Sequence, residues 1–96
     1  MLHKTTLTNI CVLHTKNKEW LDVIKFANEA LTVDPKYVKA LFHKGRAHLE
    51  VTEYQIAIDT LQSACEAEPG NSDVRKELAR AEGAYKKYQN KETKMF

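Results

Sequence analysis

One cluster of polar and aromatic residues carries the clearest chemical signal in this sequence. Spacings of three and four residues place four side chains on one face of a helix: Lys39, Phe42, His43 and Arg46. Cations held on one face can bind a carboxylate, and Phe42 beside them can pack against an apolar residue of a peptide. The pattern therefore favours recognition of an acidic peptide. The alternative is a solvated charged face, with Phe42 in a contact between repeats.

The histidines and cysteines do not form a metal-binding pattern. Neither a Cys-x-x-Cys nor a His-x-x-x-His spacing occurs, so we predict no metal site and no cofactor. His14 and His48 are interpreted as packed side chains with one hydrogen bond each. His43 is interpreted as a ligand contact, with a solvated surface residue as the alternative. A histidine there predicts an affinity for carboxylates that increases as the pH falls from 8 to 6.

Composition and charge argue against several classes of protein. The chain has 96 residues and a net charge of +2, which gives little electrostatic basis for binding nucleic acid. We expect no membrane span and no secretory leader, and two cysteines without a disulfide framework predict a cytoplasmic location. The sequence contains no Gly-rich phosphate loop, no nucleophile elbow and no catalytic pair of carboxylates. We therefore predict that this chain is not an enzyme and has no catalytic residues.

An internal repeat defines the elements that must position these side chains. A shift of 34 residues aligns six identical pairs without a gap: Leu7 with Leu41, His14 with His48, Glu19 with Glu53, Ile24 with Ile58, Ala30 with Ala64, and Pro35 with Pro69. Apolar residues at helical spacing predict two helices in each unit, and the residue before each proline ends the second helix. We infer one repeat over residues 4–37 and another over 38–71. Small residues at equivalent positions, such as Cys11 and Gly45, mark where paired helices approach closely.

The remaining segment, residues 72–96, predicts one long helix. Its apolar stripe is Val74, Leu78, Ala81, Tyr85 and Tyr88, and either Asn71 or Ser72 can cap its N-terminus. Such a helix can cover the exposed flank of the last repeat. The predicted fold is therefore all-α, a solenoid of two helical hairpins with a long C-terminal capping helix, in a single module over residues 1–96.

The repeat length resembles that of the tetratricopeptide repeat (TPR), and three features of each unit also resemble this repeat. These are a small residue in the first helix, an aromatic residue that opens the second, and a proline at the end. The stretch Val38-Lys39-Ala40-Leu41-Phe42-His43-Lys44-Gly45 and the ending Lys94-Met95-Phe96 are similar to the C-terminal TPR segment of large immunophilins. The large immunophilins are prolyl isomerase co-chaperones. In that family, three repeats and a capping helix form a groove. The groove binds the C-terminal Glu-Glu-Val-Asp peptide of heat-shock protein 90 or 70.

The resemblance implies a co-chaperone type of interaction module that binds such a tail. The implied peptide-binding residues are Asn9, Lys39, Phe42, His43 and Arg46. Asn9 and Lys39 match an Asn and a Lys of the family's carboxylate clamp, whereas His43 stands where the clamp has an Arg. The first-repeat Lys and Asn of the clamp have no counterpart here. We therefore expect the chain to be part of a longer TPR domain.

A self-associating fragment is the competing interpretation. The first helix has a second apolar flank, formed by Leu2, Val12 and Leu13. A helix that is apolar on two sides is usually buried on both. A symmetric homodimer through the first helices would cover this flank in both copies.

Overall fold

The computed structural model describes residues 3–93, and the side chains of residues 3–90. Its helices are α1 (Lys4–Lys16), α2 (Trp20–Val33), α3 (Val38–Glu50), α4 (Tyr54–Ala67) and α5 (Ser72–Thr93). Leu2, which the sequence assigns to the apolar flank, and the ending Lys94-Met95-Phe96 lie outside the described residues. Within residues 3–93, no helix is both long enough and apolar enough to cross a membrane.

The helices form two hairpins followed by a final helix. In the first repeat α1 packs against α2, and in the second α3 packs against α4. The hairpins join through α2 and α3, and α5 packs against α4. Contacts between α1 and α3, and between α3 and α5, bring these three helices together on one side of the solenoid. The predicted all-α fold, two repeats with a capping helix, is confirmed.

The turn inside each hairpin has the same construction in both repeats. Lys18 and Thr52, which lie 34 residues apart, have φ angles of 57° and 65°, in the left-handed region. Equivalent backbone hydrogen bonds then close the two turns, from the Glu19 amide to the His14 carbonyl (2.9 Å) and from the Glu53 amide to the His48 carbonyl (2.8 Å). The equivalent turns hold the end of α1 against the start of α2, and the end of α3 against the start of α4.

The side chains of both histidines also reach across these turns. His14 Nδ1 lies 3.0 Å from a Glu19 carboxylate oxygen, and His48 Nδ1 lies 2.8 Å from the equivalent oxygen of Glu53. The His48 side chain is 10% exposed and the His14 side chain 27%. Each histidine therefore packs with a hydrogen bond at the same repeat position, as the repeat predicts.

Small residues lie where the paired helices cross. Cys11, Val23 and Ala30 are buried in the first hairpin, and Gly45, Ala57 and Ala64 are buried in the second. A Cβ atom added at Gly45 would lie 2.5 Å from Cγ of Leu61, closer than packed atoms can approach. Glycine at this position therefore lets α3 pack closely on α4. Burial raises the pKa of the Cys11 thiol to about 11, so Cys11 stays protonated and serves as a packing residue.

One polar contact caps α5, and another joins it to the second repeat. The Asn71 side-chain oxygen accepts a hydrogen bond from the Val74 amide at 3.2 Å, so Asn71, one of the two predicted alternatives, caps the helix. Arg80 lies 2.6 Å from the carboxylate of Glu50 at the end of α3. Val74 of α5 packs in one buried cluster with Val38 and Leu41 of α3, which places the first turn of α5 beside the first turn of α3.

Candidate peptide-binding groove

A cavity of about 350 Å³ opens on the side of the solenoid formed by α1, α3 and the beginning of α5. Its walls combine valine and phenylalanine side chains with amide, cationic and carboxylate groups. The lining residues are Thr8, Asn9, Val12, Val38, Lys39, Phe42, His43, Asn71, Asp73 and Val74. We call this cavity the groove. Its mixture of apolar and polar walls is typical of a site that binds a peptide or a small ligand.

The groove brings together most of the side chains that the sequence singles out. Asn9 enters it from α1, and Lys39, Phe42 and His43 enter it from α3. Arg46 does not line the groove, although it lies on the same face of α3, one turn beyond Phe42. Its Nε atom is buried and has no hydrogen-bond partner among the described residues. Of the four residues that the spacing places on this face, three line the groove and Arg46 lies beside it.

His43 is the most perturbed group in the groove. Burial holds the pKa of its imidazole below the usual 6.5, and the nearby charges of Arg46 and Lys39 lower the pKa further. Its Nδ1 atom is buried and makes no hydrogen bond within residues 3–90. The Phe42 ring meets the imidazole edge to face, with 5.7 Å between ring centroids. His43 is therefore neutral at pH 7, with a polar atom that a ligand can satisfy.

The capping helix also lines the groove, a contribution that the spacing of residues along α3 does not predict. Asn71, Asp73 and Val74 line it from the first turn of α5 and the residue before it. A signal for this was present, because the shift of 34 residues that relates the repeats also aligns Lys39 with Asp73. The capping helix thus continues the row of first helices, and it brings a carboxylate to the repeat position that carries a cation in α3.

Solved structures that are similar to this chain include TPR domains. The Sgt2 TPR domain from Aspergillus fumigatus gives a TM-score of 0.86 at 21% identity, with 92% of this chain and 60% of that one covered. The second TPR domain of human RPAP3, solved with an HSP70 peptide, gives 0.79 at 21% identity, over 83% and 67% of the chains. The two hairpins and their capping helix therefore have the TPR fold.

The sequence is also similar to immunophilins. No family model matches the chain. It is 38% identical over 89 residues to the inactive peptidyl-prolyl cis-trans isomerase FKBP6 of Equus caballus, covering 93% of this chain and 28% of that protein. It is 30% identical over 91 residues to FK506-binding protein 59 of Drosophila melanogaster, covering 95% and 21%. The chain is thus a TPR domain that resembles the repeat segment of immunophilin co-chaperones, and it spans about a quarter of the length of these relatives. The aligned region is a repeat domain and not a catalytic one.

Proposed function

We propose that the groove binds the acidic C-terminal peptide of a cytoplasmic heat-shock chaperone. The observation that carries this proposal is the meeting of Asn9, Lys39 and His43 in one cavity with Phe42 beside them. A carboxylate accepts hydrogen bonds from an ammonium and an amide, and an apolar side chain of the peptide packs on the ring. In this role the chain is an interaction module, with Arg46 adding positive charge behind His43.

A buried polar atom in the groove supports a ligand of this chemistry. The Nδ1 atom of His43, which lines the groove, lacks a hydrogen-bond partner among the described residues. A buried polar group without a partner costs about 1–3 kcal/mol, which an acceptor from a ligand recovers. A solved TPR domain with this fold, that of human RPAP3, holds the HSP70 peptide SGPTIEEVD. A peptide ending in carboxylates is therefore the ligand class that best fits both the cavity and the fold.

Titration calorimetry with a peptide ending in Glu-Glu-Val-Asp tests the proposal. We expect saturable binding that weakens as salt is added, because screening reduces the attraction between Lys39 and the peptide carboxylates. The same peptide with an amidated C-terminus serves as a control and should bind more weakly. Absence of salt-sensitive binding at millimolar peptide would overturn the proposal.

The pH dependence of binding tests the part played by His43. A bound carboxylate favours the imidazolium and raises the pKa of His43, so the complex takes up a proton and affinity increases as the pH falls. Because burial and the charges of Arg46 and Lys39 lower the pKa of His43 in the unliganded protein, the increase in affinity extends below pH 6.5. The His43→Arg variant carries a positive charge at position 43 at every pH in this range. It should therefore bind the peptide more tightly than the wild type at pH 7, and its affinity should not change with pH. A flat profile between pH 5 and 8 in the wild type would remove His43 from the site.

Asp73 should limit the affinity for an acidic peptide. It is exposed and lines the same cavity as Lys39, so its carboxylate repels an anionic ligand. Asp73→Asn should strengthen binding about two- to fivefold, the range expected for one exposed charge pair. Glu82→Gln, an equal change of charge on the same helix outside the groove, should have little effect. Equal gains from both variants would show that net charge, and not the position of Asp73, controls the affinity.

Self-association is a second candidate, supported by exposed apolar side chains on the first hairpin. Leu13 is 60% exposed and Leu21 is 74% exposed. Val12, assigned by sequence to the same flank as Leu13, lines the groove, so Leu13 is the described flank residue that remains outside it. Burial of each such side chain is worth roughly 1.5–3 kcal/mol. Sedimentation from micromolar to millimolar chain should reveal a dimer that Leu13→Glu weakens, and a monomer throughout would exclude this candidate.

A further inference from the structure

A second cluster of ligating groups lies at the turn between α1 and α2, apart from the groove. It contains His14 at the end of α1, Glu19 just before α2, and Asp22 in the first turn of α2. One ligand atom from each residue lies within 4.8 Å of the other two. His14 Nδ1 lies 3.0 Å from a Glu19 oxygen and 4.0 Å from an Asp22 oxygen. An imidazole nitrogen and two carboxylates therefore converge on one point.

The separations suit one small cation. Zinc binds nitrogen and carboxylate oxygen at about 2.0–2.2 Å, so two ligand atoms of a tetrahedral site stand about 3.4 Å apart. The two nitrogen-to-oxygen distances, 3.0 and 4.0 Å, lie on either side of that value. The carboxylate side chains are 48% and 51% exposed, so small rotations can bring both oxygens to the ligand distance. Water can supply the remaining ligand at the exposed side.

The imidazole is held in place before any ion arrives. Its ring stacks on Phe26 of α2, with 5.4 Å between centroids and 8° between the planes. The hydrogen bond from the Glu19 amide to the His14 carbonyl fixes the backbone at the turn. Because the ring and the turn are already ordered, binding an ion requires little further loss of conformational freedom.

We propose that His14, Glu19 and Asp22 bind a divalent transition-metal ion of the zinc class at the turn of the first hairpin. In this site Nδ1 of His14 gives its proton to solvent and ligates the ion, and each carboxylate supplies one oxygen. The bound ion joins the end of α1 to the start of α2. The sequence predicted no metal site, because neither a Cys-x-x-Cys nor a His-x-x-x-His spacing occurs in it. Such spacings do not reveal this site, in which a turn brings one histidine and two carboxylates together.

The second repeat provides an internal control for this site. His48 and Glu53 repeat the first two ligands, with Nδ1 and the carboxylate oxygen 2.8 Å apart. The residue equivalent to Asp22 is Ile56, which has no ligand atom. The second turn therefore offers two ligands where the first offers three. If high affinity requires the third ligand, the first turn binds the ion more tightly than the second turn does.

Zinc titration of the full chain, with its thiols kept reduced, tests the proposal. The wild type should bind one Zn²⁺ per chain, and Zn²⁺ should raise its melting temperature. Glu19→Gln and Asp22→Ile should each weaken binding at least tenfold and abolish the shift in melting temperature. Glu53→Gln is the matched control, since Glu53 is 48% exposed, as Glu19 is, and should leave binding unchanged.

Other possible ligands are separated by two further measurements. Cys65→Ser removes the less buried thiol and should not alter the affinity for Zn²⁺. Substituting Co²⁺ should give a spectrum of nitrogen and oxygen ligands without a thiolate charge-transfer band. The proposal is overturned if the wild type does not bind Zn²⁺ saturably, if either Glu19→Gln or Asp22→Ile retains wild-type affinity, or if Glu53→Gln or Cys65→Ser weakens binding as much as Glu19→Gln does.

Discussion

Lys39→Ala should weaken binding of an acidic C-terminal peptide at least tenfold. Lys39 is exposed at the start of α3 and lines the groove, so its ammonium can meet a carboxylate directly. A hydrogen bond to a charged group is worth about 1.5–3 kcal/mol, and each 1.4 kcal/mol is about a tenfold change in affinity. Calorimetry at low salt measures the loss. The dependence of affinity on salt should also become shallower, because one cation has been removed.

A lysine outside the groove separates this contact from the effect of net charge. Lys36 is exposed in the loop before α3 and does not line the groove. Lys36→Ala therefore makes the same change of charge three residues away, and it should alter the affinity less than twofold. If the two variants weaken binding equally, the peptide responds to the general field of the protein. In that case Lys39 is not a specific contact.

Gly45→Ala should destabilise the protein although it replaces glycine inside a helix. The added Cβ would lie 2.5 Å from Cγ and 2.8 Å from Cδ2 of Leu61, which is fully buried. Overpacking of this kind costs about 1–3 kcal/mol, whereas alanine gains about 1 kcal/mol in helix propensity. Gly83→Ala is the matched control, because a Cβ there meets no described atom within 4 Å beyond its chain neighbours and its own helix backbone. Urea unfolding should show Gly83→Ala more stable than Gly45→Ala by about 1–3 kcal/mol, the packing cost alone.

A double-mutant cycle identifies Leu61 as the cause. Leu61→Ala removes the three atoms nearest to the added Cβ, and alone it should cost about 2–5 kcal/mol of unfolding free energy. In that background Gly45→Ala should become neutral or stabilising, since space is then available and only the gain in propensity remains. If Gly45→Ala costs the same in both backgrounds, the close approach of α3 and α4 does not depend on this contact.

Sequence alone determined the architecture, because the signals for it are local or periodic. The identities at 34-residue spacing locate both hairpins, and Pro35 and Pro69 follow the ends of α2 and α4 within two residues. Apolar residues at helical spacing predict which faces are buried, and the small residues at 11 and 45 mark the crossings. Each of these rules follows from backbone geometry and packing within one repeat, so tertiary information was not needed.

The composition of the groove was only partly accessible from sequence. Spacing of three and four residues correctly puts Lys39, Phe42 and His43 on one face, since they share a helix. It does not reveal that Arg46 lies beside the groove, or that burial lowers the pKa of His43. Both depend on how α1 and α5 pack against α3. The spacing of residues along one helix does not determine the angle at which it packs against another.

Contacts between elements were decided by the tertiary structure. Asp73 enters the groove because the capping helix continues the row of first helices, so its first turn lies beside that of α3. His14, Glu19 and Asp22 converge because a left-handed residue at Lys18 reverses the chain between α1 and α2. In each case the side chains come from different helices or from the turn between them. Their separation is set by the packing of whole elements, whereas sequence spacing governs only neighbours along one helix.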